Sequence, residues 1–203
     1  MKTRRAVFGG VETVCFGDEN ASKVVILLHG RGGSGDDILA LARHFFVEDV
    51  LYVAPTANSN AWYPRSFLEP VSNNEPFLSE SLGVVQNLVS FFDGKQVFFV
   101  GFSQGACLST EFVCRNPKRY GGVFCLSGGL IGDKLMNYSG DLNGTPVLLG
   151  CDEEDPFIPV SRVHETEVIM NGLNASVTKN IYSCLGHRVN EEEINFILNI
   201  IRK

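Results

Sequence analysis

Residues 96–112 read "QVFFVGFSQGACLSTEF", and the reading of this stretch decides the fold. An apolar run, Val97 to Val100, leads into "GFSQG" at 101–105, and a helix-like segment follows. Ser103 is either a nucleophile held up at a sharp turn or a polar residue between glycines that fit a short, common pattern. The flanks favour the first. A continuous apolar run suits a strand buried on both faces, and "QGACLSTEFVCRNP" has helical spacing stopped by Pro117. A serine at such a turn needs a strained backbone, and bulky neighbours would collide there, so Gly101 and Gly105 meet a physical need.

Outward from this turn, strands and helices alternate. "RAVF" and "VETVCF", joined at Gly9–Gly10, read as a β-hairpin. "KVVILLHG" is a buried strand, and "DDILALARHF" a helix with Ile38, Leu41 and Phe45 on one face. "VLYVAP" is the next strand, followed by a long polar loop from Thr56 to Glu75; a loop of that length is usually functional. "LSESLGVVQNLVSFF" is a helix with Ser79 as its expected cap. "GGVFCLSG" and "TPVLLGC" are strands, "VSRVHETEVIMNG" a helix, "ASVTKNIYS" a strand and "NEEEINFILNIIRK" an amphipathic helix. This alternation predicts an α/β fold over 1–203 as one domain: a mostly parallel central sheet, an antiparallel N-terminal hairpin, and helices on both faces.

Composition narrows the class. The chain has 203 residues, 44% hydrophobic and 20% charged, with net charge −6, as in an ordinary globular domain. Basic residues form no long run, which argues against a nucleic-acid partner. "MKTRRAVFGG" lacks the apolar core of a secretory signal and no run is long enough to span a membrane, so the expected location is cytoplasmic. The six cysteines (15, 107, 114, 125, 151 and 184) form no C-x-x-C and no zinc spacing; they read as reduced, structural thiols, with no metal expected. Without an export signal, "NGT" at Asn143 and "NAS" at Asn174 read as chance matches to the glycosylation triplet.

A serine nucleophile needs a base. His29 reads as a loop-shaping residue, and His44 and His164 as residues on helices. His187, in "SCLGHRVNEEE", falls in a turn after the last strand and before the terminal helix, and is the candidate base. The base needs an orienting carboxylate. "LLGCDEEDPFIP" offers Asp152, Glu153, Glu154 and Asp155; Asp155 is preferred because its "DP" begins a stiff turn, with Asp152 in reserve. An oxyanion needs two backbone N–H donors. Gln104 supplies one through its backbone rather than its side chain, and Arg31, in the glycine-rich "LLHGRGGSG", supplies the other. A phosphate cradle is the poorer reading of that loop, which lacks the G-K-[ST] ending and carries Asp36 and Asp37.

Together, "HGRGGSGDDI", "GFSQGA", "GCDEEDPFIP" and "GHRVNEEEI" resemble the phospholipase/carboxylesterase family of α/β hydrolases, which includes the acyl-protein thioesterases. The resemblance covers nearly the whole chain and is nearer the bacterial "HGRGG" carboxylesterase branch; "AWYPRSFLEPVSNNEP" resembles that branch's substrate-side loop. It implies the α/β-hydrolase fold, Ser103, Asp155 and His187 as a triad, Arg31 and Gln104 as oxyanion donors, and no cofactor. It also allows a homodimer. One departure stands at Phe157, where that branch often has a histidine; this alters the pocket wall.

The expected activity is hydrolysis of a small-molecule carboxylic ester or thioester through an acyl-enzyme, as in a carboxylesterase, lysophospholipase or acyl thioesterase. Trp62, Tyr63 and Phe67 are read as lining an acyl or aromatic pocket, against the alternative that Trp62 and Tyr63 only pin the loop. Two competing readings are a dienelactone hydrolase-like lactonase, which would ordinarily carry a cysteine nucleophile, and a non-catalytic binding protein on a hydrolase scaffold.

Overall fold

A computed structural model describes residues 2–203. Strands β1 (Arg4–Phe8) and β2 (Val11–Gly17) form the expected hairpin. Its two-residue turn places Gly9 at φ 57° and Gly10 at φ 79°, left-handed values that glycine adopts without a Cβ clash and that match the twist of a hairpin.

Strands β3 (Lys23–Leu28), β4 (Val50–Pro55), β5 (Gln96–Phe102), β6 (Gly122–Leu126), β7 (Pro146–Asp152) and β8 (Ser176–Tyr182) complete one eight-stranded sheet in the order β1-β2-β4-β3-β5-β6-β7-β8. β2 meets β4 antiparallel, and every pair from β4 onward is parallel. The period of two along a strand sends alternate residues to opposite faces. In β3, Val24, Ile26 and Leu28 enter one core, while Val25 and Leu27 enter the other. The first core packs under α2 (Phe77–Phe91), α3 (Gln104–Arg115) and α4 (Val160–Gly172). The second packs under α1 (Gly35–Leu41) and α5 (Glu191–Ile201). Two covered faces explain why the parallel strands read as unbroken apolar runs rather than as alternation.

Three local expectations change. The segment 36–45 is only partly α-helical: α1 ends at Leu41 and residues 42–45 continue as a 3-10 turn, still burying Ile38 and Phe45. Ser79 is not the cap of α2. The helix begins two residues earlier, and the Glu75 carboxylate accepts from both the Ser79 N–H (3.1 Å) and its hydroxyl (2.9 Å). A carboxylate ahead of the first turn satisfies an orphan donor as a capping side chain does, and it suits the positive end of the helix dipole. The loop from Thr56 to Glu75 contains two short 3-10 turns, Asn58–Asn60 and Val71–Asn74, but no strand. No helix among the described residues is long and apolar enough to cross a membrane.

Candidate active site

Parallel strands deliver their following loops to one edge of the sheet, and ligands of open α/β sheets bind outside those carboxyl ends. The loops after β3, β5, β7 and β8 carry Arg31, Ser103, Asp155 and His187 to this edge. Ser103 follows β5 directly, at φ 53° and ψ −119°, and α3 starts at the next residue. This is a costly backbone for a non-glycine residue. The turn holds because Ser103 N–H donates to Leu126 O (2.9 Å) and Ser103 O accepts from Cys107 N–H (3.0 Å). Its glycines are demanded by space: a Cβ on Gly101 would lie 2.5 Å from Ala106 Cα, and one on Gly105 would lie 2.1 Å from Leu28 O.

His187 and Asp155 are in direct contact. His187 Nδ1 lies 2.8 Å from Asp155 Oδ2 and 3.1 Å from Oδ1. A carboxylate only accepts, so Nδ1 carries the proton and Nε2 is left free. The ring is gripped by Phe102 at 5.0 Å and Phe157 at 4.9 Å between centroids. The Asp155 side chain is fully buried. Burial alone would push its carboxyl up; the His187 hydrogen bond and the N–H groups of Phe157 (2.9 Å) and Ile158 (3.0 Å) outweigh this and hold it below the usual range. Asp152 does other work. Its oxygens accept from the N–H groups of Glu154 and Leu185, fixing the turn that precedes His187.

Ser103 and His187 line one cleft of about 740 Å³ with Gly30, Arg31, Tyr63 and Phe67. Among the described residues, Ser103 Oγ has no hydrogen-bond partner, and neither the Arg31 nor the Gln104 backbone N–H has a protein acceptor. Catalytic hydrogen bonds of unliganded sites commonly tighten only when substrate is present. Cys107 also reaches this cleft, but burial pushes its thiol up to about 12, which makes it a poor thiolate source. Among the described residues, no group of three or more His, Cys, Asp or Glu side chains converges as a metal site would require.

The residues expected to line the pocket separate. Tyr63, Phe67 and Phe157 line the cleft. Trp62 does not: it is buried beneath the wall, its indole N–H donating to His29 O (2.9 Å) and its ring 4.9 Å from the His29 ring. This is the pinning role, and the reason is the indole N–H, which must find an acceptor when buried. His29 is the loop-shaping residue expected: Nδ1 bonds Gly30 O (2.7 Å) and Nε2 accepts from Ala57 N–H (3.0 Å). Desolvation, partly opposed by the Gly30 carbonyl, lowers its pKa. His44 and His164 are exposed.

The Gln104 side chain has a role of its own, which the sequence reading gives only to its backbone. It is buried, its Oε1 accepts from Trp62 N–H (3.0 Å), and its Nε2 donates to Tyr63 O (2.8 Å). The first residue of α3 thus clamps the loop that walls the cleft. Arg31 adds a second clamp, its guanidinium donating to the carbonyls of Pro64 (3.0 Å) and Arg65 (2.7 Å). No residue pattern marks these clamps, because their acceptors and donors are mostly main-chain groups of an irregular loop.

The model of the phospholipase/carboxylesterase family matches residues 10–203. A phospholipase/carboxylesterase from Dyadobacter fermentans superposes with TM-score 0.90 at 38% identity, over 100% of this chain and 99% of that one. Acyl-protein thioesterase 1 of Eremothecium gossypii is 28% identical over 207 residues, spanning 90% of this chain and 88% of that protein. A rice relative named "Probable inactive carboxylesterase" is 24% identical over 212 residues, spanning 90% of this chain and 84% of that protein.

Proposed function

Because the chain belongs to the phospholipase/carboxylesterase family, we propose that it hydrolyses carboxylic esters or thioesters through a Ser103–His187–Asp155 triad. The observation that carries this reading is the hydrogen-bonded His187–Asp155 pair in the cleft that exposes the strained Ser103 turn.

In the first half-reaction, Ser103 Oγ attacks the ester carbonyl carbon and its proton passes to His187 Nε2. The negative oxygen of the tetrahedral intermediate accepts from the Arg31 and Gln104 N–H groups, which have no protein acceptor to release. Asp155 keeps His187 in the correct tautomer and stabilises the imidazolium. Collapse breaks the bond to the leaving oxygen or sulfur, which takes the proton from His187. In the second half-reaction, His187 deprotonates a water that attacks the acyl-enzyme, releasing the acid and restoring Ser103. The lysophospholipase and acyl-thioesterase variants share this chemistry and differ only in what the cleft holds.

A p-nitrophenyl hexanoate assay with parallel fluorophosphonate labelling tests the reading. Wild type is expected to turn over the ester and to be labelled at Ser103; Ser103→Ala should lose roughly 10⁴-fold or more in kcat and all labelling. An unlabelled, inactive wild type would make this chain a non-catalytic scaffold, as the name of the rice relative makes worth checking.

A further inference from the structure

Two cavities meet beside Ser103 and share Gly30, Arg31 and Phe102 in their walls. The smaller, about 330 Å³, runs along α1 past Ile38, Leu41 and Val189. The larger, about 740 Å³, lies under the wall of residues 63–69 and holds Ser103 and His187. Arg31, Arg65 and Glu69 all line this larger one.

Among the described residues, no carboxylate lies within 4.0 Å of either guanidinium. Glu69 is engaged elsewhere, accepting from Asn73 Nδ2 (3.0 Å). A chain of net charge −6 therefore keeps two guanidinium groups unpaired in the wall of its reaction cleft, with Glu69 the single carboxylate among the residues that line it. The two differ in freedom. Arg31 is tied to two carbonyls and lies 6.0 Å over the Tyr63 ring, so its charge is fixed. The Arg65 side chain is exposed and makes no hydrogen bond among the described residues, yet its main chain is pinned on both sides. Its N–H donates to the buried Asn74 Oδ1 (2.8 Å), and its carbonyl accepts from Arg31 (2.7 Å). A free guanidinium on a rigid base offers paired donors to a carboxylate, and binding has only the side chain itself left to order.

We infer that the preferred substrate is an ester that carries a free carboxylate, held by Arg65 in the field of Arg31 while the ester carbonyl lies at Ser103. This rests on the ester-hydrolase reading and names its substrate class. Arg65 is then a specificity-determining residue. The apolar cavity along α1 takes the uncharged half.

Two matched pairs test it by kcat/KM: mono-p-nitrophenyl adipate against p-nitrophenyl hexanoate, and 4-carboxyphenyl hexanoate against 4-carbamoylphenyl hexanoate. The first places the carboxylate on the acyl half, the second on the leaving half. Wild type should favour the anionic member of one pair by about tenfold, and raising the salt from 0.05 to 0.5 M should shrink that ratio. Arg65→Gln should abolish the ratio, mainly through KM, and Arg65→Lys should restore part of it, since an ammonium keeps the charge but not the fork. Ratios below about twofold in both pairs, a ratio indifferent to salt, or one that survives Arg65→Gln would overturn the inference. Failure of the hydrolase reading looks different: no ester in either pair would show Ser103-dependent turnover.

Discussion

On one side of the cleft, Ser103, Asp155 and His187 stand just beyond the ends of β5, β7 and β8, held by a sheet whose every strand is paired. On the other side, residues 56–75 form a wall with no strand at all. The first side is positioned by regular backbone hydrogen bonding, which depends little on side-chain identity. The wall is positioned by individual side chains: Gln104 on Trp62 and Tyr63, Arg31 on Pro64 and Arg65, Asn74 on Arg65 and Ser66, Ser81 on Trp62. Damage on the two sides should therefore differ in kind. A change to the strand-end residues should remove chemistry and leave the fold; a change to the clamps should loosen the fold and disturb binding.

The sharpest test of that contrast, after Ser103 itself, is Asp155→Asn beside Asp152→Asn. Asp155→Asn should lower kcat by roughly 10³–10⁴-fold, because the amide favours the wrong His187 tautomer. Asp152→Asn, which loosens only the turn before His187, should cost far less in kcat. Equal losses would show that the Asp155 contact has no special part. On the wall, Gln104→Ala removes two buried hydrogen bonds and leaves main-chain groups of Trp62 and Tyr63 unpaired. Denaturant unfolding should register a loss of about 2–4 kcal/mol, with KM raised and kcat retained to a far greater degree than in Ser103→Ala. Matching kcat losses in the two variants would mean that the Gln104 clamp and the Ser103 turn act as one unit.

The smallest effect concerns a second buried carboxylate near the same edge. Glu193 caps α5 with Asn190 and packs where Gly150 has no side chain; a Cβ there would lie 1.9 Å from Glu193 Oε1. Asp155 is met by three N–H donors and the Cys151 thiol, whereas the Glu193 side chain is met by the Asn190 N–H alone (2.9 Å). Desolvation therefore prevails, and its pKa rises from 4.5 to about 7. Between those values the folded protein holds a proton that the unfolded chain has released. The contribution of Glu193 is thus complete below 4.5 and is lost as pH rises through about 7; Asp155, depressed, behaves in the opposite sense and loses its contribution as pH falls. Glu193→Gln should flatten the decline between pH 5 and 8 and stabilise the protein at the upper end by about 1–3 kcal/mol. A pH profile parallel to that of wild type would assign the decline to other groups.

The difference between the two sides also explains what could be read in advance. "QVFFVGFSQGACLSTEF" is legible because a buried parallel strand, a tight turn and a helix each leave a local mark: an apolar run, glycines at fixed offsets, a 3.6-residue period. Asp155 and His187 were legible because the same alternation places them after strands. The same local logic misplaces the cap of α2, since a serine near a helix start is a common cap and nothing nearby marks Glu75 as the acceptor. Aromatic residues in a long loop suit either a wall or a pin, and for Trp62 only its hydrogen bond to His29 O separates the two.

What the sequence alone determined is thus the α/β order of elements, the hairpin, the strained turn at Ser103, and His187 with a short acidic stretch as its candidate partners, Asp155 ahead of Asp152. These follow from periodicity and backbone sterics, which act over a few residues. The tertiary structure decided which carboxylate meets the imidazole, that Trp62 is a pin, that the Gln104 side chain clamps the wall, and that Arg65 stands free above the cleft. The first three of those outcomes depend on hydrogen-bond partners 32 to 42 positions apart in the chain, and no local pattern encodes a distance between groups that only folding brings together.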